Sequence, residues 1–208
     1  MENKKYELLD NDTVTTWDGR TLKRIRALVA IGSLVAAGEL GGYIESEDNL
    51  SQVSGNAWVS GNAQVYGNAW VSGNARVYGN ARVSGNARVY GNAQVYGNAW
   101  VSGDARVYGN AQVSGNAQVY GNAWVSGDAR VEQRRDIFWM SIIGSENGTY
   151  TAFKNKDGGV SVNRGCFNGT LEQFVDAVNE RHTGQFHQEY QLVIELTKIR
   201  LGVIEEAV

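Results

Sequence analysis

The sequence predicts a mainly β protein, a β-solenoid of triangular 18-residue coils with a β cap before it and an α+β module after it. Three observations predict this. Valine occupies every sixth position from 53 to 131 without an insertion, and each of them before Val131 opens the phrase Val-Ser/Tyr-Gly-Asn/Asp-Ala-x. The 208 residues include 26 glycines and no proline, which fits tight turns in a repeat and neither collagen nor a proline-rich linker. Outside residues 44–131 the six-residue period vanishes, and apolar residues alternate or recur at helical spacing instead.

Within one hexad the geometry follows from side-chain alternation. A period of six cannot be an α-helix, whose apolar positions recur at 3.6. Alanine and the next valine are two apart and share one face of a short strand, while x and Ser/Tyr share the other. Gly-Asn supplies the backbone freedom of a corner. Three hexads close a triangle, successive coils pair strand on strand about 4.8 Å apart, and thirteen hexads make a little over four coils. Valine and alanine fill the interior. Asn62, Asn80, Asn98 and Asn116 stack on one corner, where an amide ladder offsets the cost of fixing the turn.

The phrase Val-x-Gly-Asn-Ala-x resembles the hexapeptide repeat of left-handed parallel β-helices. The hand is implied by that resemblance alone, because crossover chirality by itself favours the right. The lead-in GELGGYIESEDNLSQ, followed by GNAWV, resembles the YdcK-like hexapeptide-repeat proteins of bacteria, prophages and phages, from about Tyr6 to the end of the repeat.

A solenoid end exposes an unpaired strand edge and needs a cap. Residues 1–43 supply an N-terminal β cap of two or three strands from YELLD, TLKRIRALVAI and LVAAGELGGYI, with Gly41-Gly42 at a turn. Ile44 and Leu50 then lead into the β-helix, residues 44–131. Residues 132–208 form the α+β module. Its three strands are DIFWMSIIGS, TYTAFKNKDG and VSVNRGCF, with a hairpin over 156–159, and two helices follow. Thr170 N-caps the first helix with Gln173 completing a capping box, and Leu171, Phe174, Val175 and Val178 recur at helical spacing. The second runs from Gln188 to Leu201, with Leu192, Leu196 and Ile199 on one side. GCFNGTLEQF looks like a tail module of the same phage-associated proteins, serving as a second cap, an oligomerisation element or a binding domain.

Composition excludes several function classes. The net charge is −3, and residues 53–131 hold five Arg against two Asp while both flanks are acidic, so a nucleic-acid partner is not expected. The one cysteine, Cys166, forms neither an internal disulfide nor a cysteine zinc site; it fits a reducing cytoplasm and the interior of the fold. The start lacks a signal-peptide core, and the apolar run over 28–37 is too short to span a bilayer, so a cytoplasmic protein with no membrane partner is expected. The best-known left-handed β-helix enzymes are acyltransferases with a histidine base and a loop excursion, and β-helical carbonic anhydrases need several His ligands. The repeat here has no His, Cys, Lys or Glu and no excursion. Asp104 and Asp128 fill the turn slot of Asn. His182 and His187, near Glu180 and Glu189, read as loop residues between the helices. No catalytic residue, metal ligand or cofactor is assigned.

What varies is the outward column. With period 18, one face presents Trp70, Arg88, Arg106 and Trp124 beside Ser72, Tyr90, Tyr108 and Ser126. The second presents Trp58, Arg76, Gln94, Gln112 and Arg130; the third presents Gln64, Arg82, Trp100 and Gln118. Every Trp of the repeat is followed by Val-Ser, never Val-Tyr, so a large outward residue is matched by a small one. Trp, Tyr and Arg dominate binding hot spots, and Arg beside aromatic rings suits ligands with π faces and negative charge. The first face is therefore the candidate ligand or partner surface: Trp70, Arg88, Tyr90, Arg106, Tyr108 and Trp124. Ice binding is excluded, because it needs regular ranks of small Thr.

These features predict a non-catalytic binding or assembly protein. The phage-borne relatives imply a role in phage–host interaction, sequestering a nucleotide-like small molecule or masking a host protein. A homo-oligomer is expected, a trimer foremost, as left-handed β-helices commonly form. The competing readings are an acyltransferase-like enzyme using His182 or His187, and a structural protein of a particle or filament.

Overall fold

The computed structural model describes residues 4–53 and 55–203; the outermost residues of the predicted cap and module, and Ser54 of the first hexad, lie outside the described residues. Two-residue strands recur every six residues from β4 (Trp58–Val59) to β16 (Arg130–Val131), after three longer strands, β1 (Tyr6–Thr15), β2 (Thr21–Ala27) and β3 (Leu40–Ile44). Each short strand pairs in parallel with the residues 18 positions on, as in Gln94↔Gln112 and Val95↔Val113. The pairing separates them into three stacks, β4-β7-β10-β13-β16, β5-β8-β11-β14 and β6-β9-β12-β15, which are the three predicted faces. The alanines and valines from Ala57 to Val131 are buried and form one continuous core.

The corners show why the turn residues are invariant. Gly91 has φ +71°, and a Cβ there would lie 3.0 Å from the backbone nitrogen of Gly109 one coil on, so only glycine fits both the conformation and the stacking distance. The asparagines beside these glycines form amide ladders on all three corners. The predicted one runs through Asn62, Asn80, Asn98 and Asn116 at 3.3–3.5 Å. A second runs from Asn74 through Asn92 and Asn110 to Asp128. The third runs from Asn68 through Asn86 to Asp104. Both aspartates thus occupy ladder positions, as the turn reading predicts.

The lead-in departs from the repeat in phase. Ile44 pairs with Val65 and Leu50 bridges Val71, each 21 residues on instead of 18. Leu50 thereby takes the interior place that the period assigns to Val53, and Val53 is 82% exposed. Gly41-Gly42 is not a turn either. Both residues lie inside β3 and are buried, and a Cβ on Gly42 would sit 2.7 Å from the carbonyl oxygen of Ala63. These glycines let the cap approach the first coil closely. The β1-β2-β3 meander is antiparallel, and β3 pairs in parallel with β5 (Gln64–Val65), so the cap extends one solenoid sheet.

The C-terminal module is a separate antiparallel sheet in chain order: β17 (Ile137–Ile143), β18 (Gly148–Lys154), β19 (Val160–Arg164) and β20 (Phe167–Thr170). It has four strands where three are predicted, because Gly165, at φ +56°, breaks VSVNRGCF into a tight hairpin. That hairpin places Cys166 at its tip, exposed, contrary to the expected interior thiol. Helix α1 (Leu171–Arg181) has the predicted capping box of Thr170 and Gln173 and buries Leu171, Phe174 and Val178. Helix α2 (Gly184–Leu201) starts four residues before the predicted Gln188, so His187 is helical. It packs Tyr190, Val193, Ile194, Thr197 and Leu201 inward and leaves Leu192, Leu196 and Ile199 at the surface. Among the described residues no helix is long and apolar enough to cross a membrane.

Candidate functional site

The candidate face is one parallel stack: β6 (Trp70–Val71), β9 (Arg88–Val89), β12 (Arg106–Val107) and β15 (Trp124–Val125). Trp70 lies beside Arg88, Arg88 beside Arg106, and Arg106 beside Trp124. The pleat points these four side chains outward because valine, two residues from alanine, is held in the core. Tyr90 and Tyr108, one coil apart, stack with ring centroids 5.0 Å apart and planes 2° from parallel. Burial pushes the Tyr90 phenol above its ordinary range, the neighbouring Tyr108 adds to the shift, and the nearby guanidiniums oppose it. The Arg106 guanidinium sits 4.6 Å from the Trp124 ring centroid, and Trp70 at the opposite end is 45% exposed. The face therefore brings together all six predicted residues but is uneven: its tyrosines stack on each other, one end is open indole, and the other pairs a cation with a ring.

Trp100 Nε1 donates to Ser84 Oγ of the previous coil at 3.3 Å, and Ser72, Ser84, Ser114 and Ser126 are all buried. The outer faces are thus packed surfaces in their own right. The second face shows the same habit, with Tyr78 and Tyr96 stacked at 4.8 Å and Tyr78 Oη donating to Gln94 Oε1. Trp58 is withdrawn altogether: it is buried edge-on against Tyr6 of the N-terminal cap.

Where the candidate face meets the C-terminal module, a cleft of about 360 Å³ opens between Arg106, Asn122 and Trp124 on the solenoid and Glu146, Thr149 and Arg164 on the module. Arg164 Nη2 donates to the Ile143 carbonyl at 2.9 Å, whereas its Nε is buried without a hydrogen-bond partner. A buried guanidinium nitrogen left unpaired is costly. Arg164 also borders a smaller cavity, about 210 Å³, whose far wall carries Arg181, His182 and Tyr190. Burial raises the Tyr190 phenol above its ordinary range, and Arg164 opposes that shift.

The seam beneath this cleft is held by groups that sequence reasoning does not single out. Thr151 Oγ1 accepts from the Trp124 amide at 3.1 Å, Asn163 Nδ2 donates to the Trp124 carbonyl at 2.8 Å, and Asn168 Nδ2 donates to Ser126 Oγ at 2.7 Å. The signal available was the pair of asparagines straddling Gly165, which the register places opposite each other as Asn163↔Asn168.

The other polar candidates do not converge. His187 Nε2 lies 3.0 Å from Asn179 Oδ1, His182 caps the C-terminus of α1 with its ring tilted against Tyr190, and Glu189 accepts from the Gly144 amide. Among the described residues no group of three His, Cys, Asp or Glu side chains could hold a metal ion.

Comparison with known proteins agrees with the solenoid. The family model of the YdcK beta solenoid repeat matches repeatedly between residues 51 and 133, the first match covering 51–67 and the last 117–133. No curated protein sequence matches the chain. The match falls on the coils whose stacking, corners and core are described above, and residues 51–133 are a β-solenoid of the YdcK repeat type.

Proposed function

We propose that the protein is a non-catalytic binding scaffold, and that the cleft at the Trp124 end of the candidate face takes a small planar anion of the nucleotide type. The observation that carries this is the Arg106 guanidinium over the Trp124 indole, with a second guanidinium, Arg164, lining the same cleft. An aromatic ring with a stacked cation suits a π ligand, and two guanidiniums suit a phosphate. Asp104 and Glu146, which also border the cleft, supply acceptors for the amino edge of a base. Trp70, Arg88, Tyr90 and Tyr108 extend the same surface along the solenoid. The phage-borne relatives that the lead-in phrase resembles favour a setting in phage–host interaction, where holding a host nucleotide or covering a host protein needs no catalysis.

Calorimetric titration with adenosine diphosphate tests this reading. Binding that weakens at least tenfold in Arg106→Ala and Arg164→Gln, and is unchanged in Arg88→Ala, places the ligand in the cleft. Equal loss in all three variants extends the site along the face. Absence of binding by adenosine diphosphate and by a panel of other nucleotides, together with no retained small molecule in native mass spectrometry, refutes it.

A further inference from the structure

Helix α2 is apolar on two sides. Tyr190, Ile194, Thr197 and Leu201 face the module's sheet, and one such face is all that a helix on a sheet needs. On the opposite side Leu192 is 73% and Ile199 62% exposed, with Leu196 between them and Val203 just past the helix end. The spacing 192, 196, 199 steps by four and then three, as along a coiled-coil seam. At 100° per residue these three helical positions fall within an arc of about 60°. They form a narrow ridge and not the broad stripe that lies on a sheet. The helix is stopped by Gly202 in the left-handed conformation, and the Val203 amide turns back to the Lys198 carbonyl at 2.9 Å.

We propose that this ridge joins copies of the chain in a parallel α2 bundle. The flanks specify both the occupant and its direction. Glu195 borders the ridge on one side and Arg200 on the other, five residues later. In a parallel bundle that offset sets Glu195 of one copy against Arg200 of the next, whereas an antiparallel bundle sets flanks of the same side, and hence like charges, together. Within the chain both partners are only lightly engaged: Glu195 pairs with Lys198 at the surface and Arg200 lies 5.7 Å from the Phe138 ring. The seam residues indicate the number of copies. With Leu196 at one seam position and Leu192 and Ile199 at the other, the central Leu–Ile layers favour three or four helices over two. The ridge spans under two heptads, so the assembly is concentration-dependent. This inference is independent of the nucleotide reading, and a chain that binds no nucleotide still assembles through α2.

Sedimentation velocity over a hundredfold concentration range tests it. The wild-type chain is expected to pass from monomer to a trimer or tetramer. Leu192→Glu with Ile199→Glu is expected to stay monomeric with an unchanged circular dichroism spectrum and melting temperature, because both side chains are exposed in the monomer. Glu195→Arg and Arg200→Glu should each weaken assembly at least tenfold, and together restore it, which a purely structural role for either residue would not do. A monomer at every concentration overturns the proposal. So does an oligomer that survives the double glutamate variant, which would move the interface to the Trp-Arg-Tyr faces.

Discussion

The two ends of the solenoid meet opposite chemical problems. Most amide bonds between coils run from one coil to the carbonyls of the next, as in Gln94 N to Ala111 O at 2.9 Å. The N-terminal end therefore presents mainly spare carbonyls and the C-terminal end mainly spare amides. The N-terminal cap answers with donors. The Tyr43, Glu45 and Ser51 amides continue the ladder onto Ala63, Val65 and Val71, and the fully buried Asn49 sends its amide group to the carbonyls of Gly67 and Ala69, both at 2.9 Å. The C-terminal module meets the spare amides with acceptors, beside the Asn163 amide that donates to the Trp124 carbonyl. Thr151 Oγ1 takes the Trp124 amide, and one carboxylate oxygen of Asp136 takes the amides of Glu132 and Gln133 at 3.1 and 2.8 Å. A parallel solenoid thus needs two different caps, and the difference lies in hydrogen-bond polarity more than in shape.

The near-isosteric pair Asn49→Asp and Asp136→Asn gives the sharpest test of that contrast. Asn49→Asp removes two buried donor bonds and sets a carboxylate against two carbonyls, with an expected loss of about 2–4 kcal/mol in urea unfolding. Equal, small effects of the two substitutions would break the polarity argument. Next in size is Tyr150→Phe. Tyr150 Oη shares a hydrogen bond of 2.9 Å with Thr197 in the module core, and its loss should cost about 1–1.5 kcal/mol near neutral pH. Burial pushes this phenol up to about 12. The folded state then holds its proton where the unfolded state, titrating near 10, has released it. Its contribution is complete below pH about 10 and is lost as pH rises towards 12. Tyr150→Phe should show a shallower fall in melting temperature over that window than the wild type.

Asp136→Asn comes third. An amide oxygen can still accept the Glu132 and Gln133 amides, and what disappears is the 3.2 Å pair with Lys154, so about 0.5–1 kcal/mol is expected. The smallest effect has the opposite sign. Asp104 accepts from Asn86 but has no donor to hand on to Asn122, the next corner residue. Asp104→Asn should lengthen the ladder and stabilise the chain by about 0.3 kcal/mol, readable as a small rise in melting temperature.

Legibility in the sequence divides along the same line. Thirteen hexads in unbroken register fix coil length, core, corners and the membership of each face, because a residue 18 positions away must be its neighbour in the stack. The capping box at Thr170 and the hairpin over 156–159 were equally readable, being decided by contacts a few residues apart. The candidate face was legible as a set of residues. Its cleft was not, because Arg164, Thr149 and Glu146 reach Trp124 across a gap in sequence that has no period.

The three-residue phase shift at Ile44 and Leu50 and the role of Gly41-Gly42 were hidden for a related reason. A glycine pair signals a turn when read locally, and only the packed first coil shows that it removes Cβ atoms from a contact. On α2 the apolar residues lie on both sides of the helix, so spacing identified the ridge of Leu192, Leu196 and Ile199 but could not say that the sheet takes the other side. The sequence by itself determined whatever repeats, since stacking makes each coil the template for the next. The tertiary structure alone decided how the stack ends and what faces the cleft. Those positions have no neighbouring repeat to dictate them and are chosen by the hydrogen-bond polarity and shape of the surface they must close.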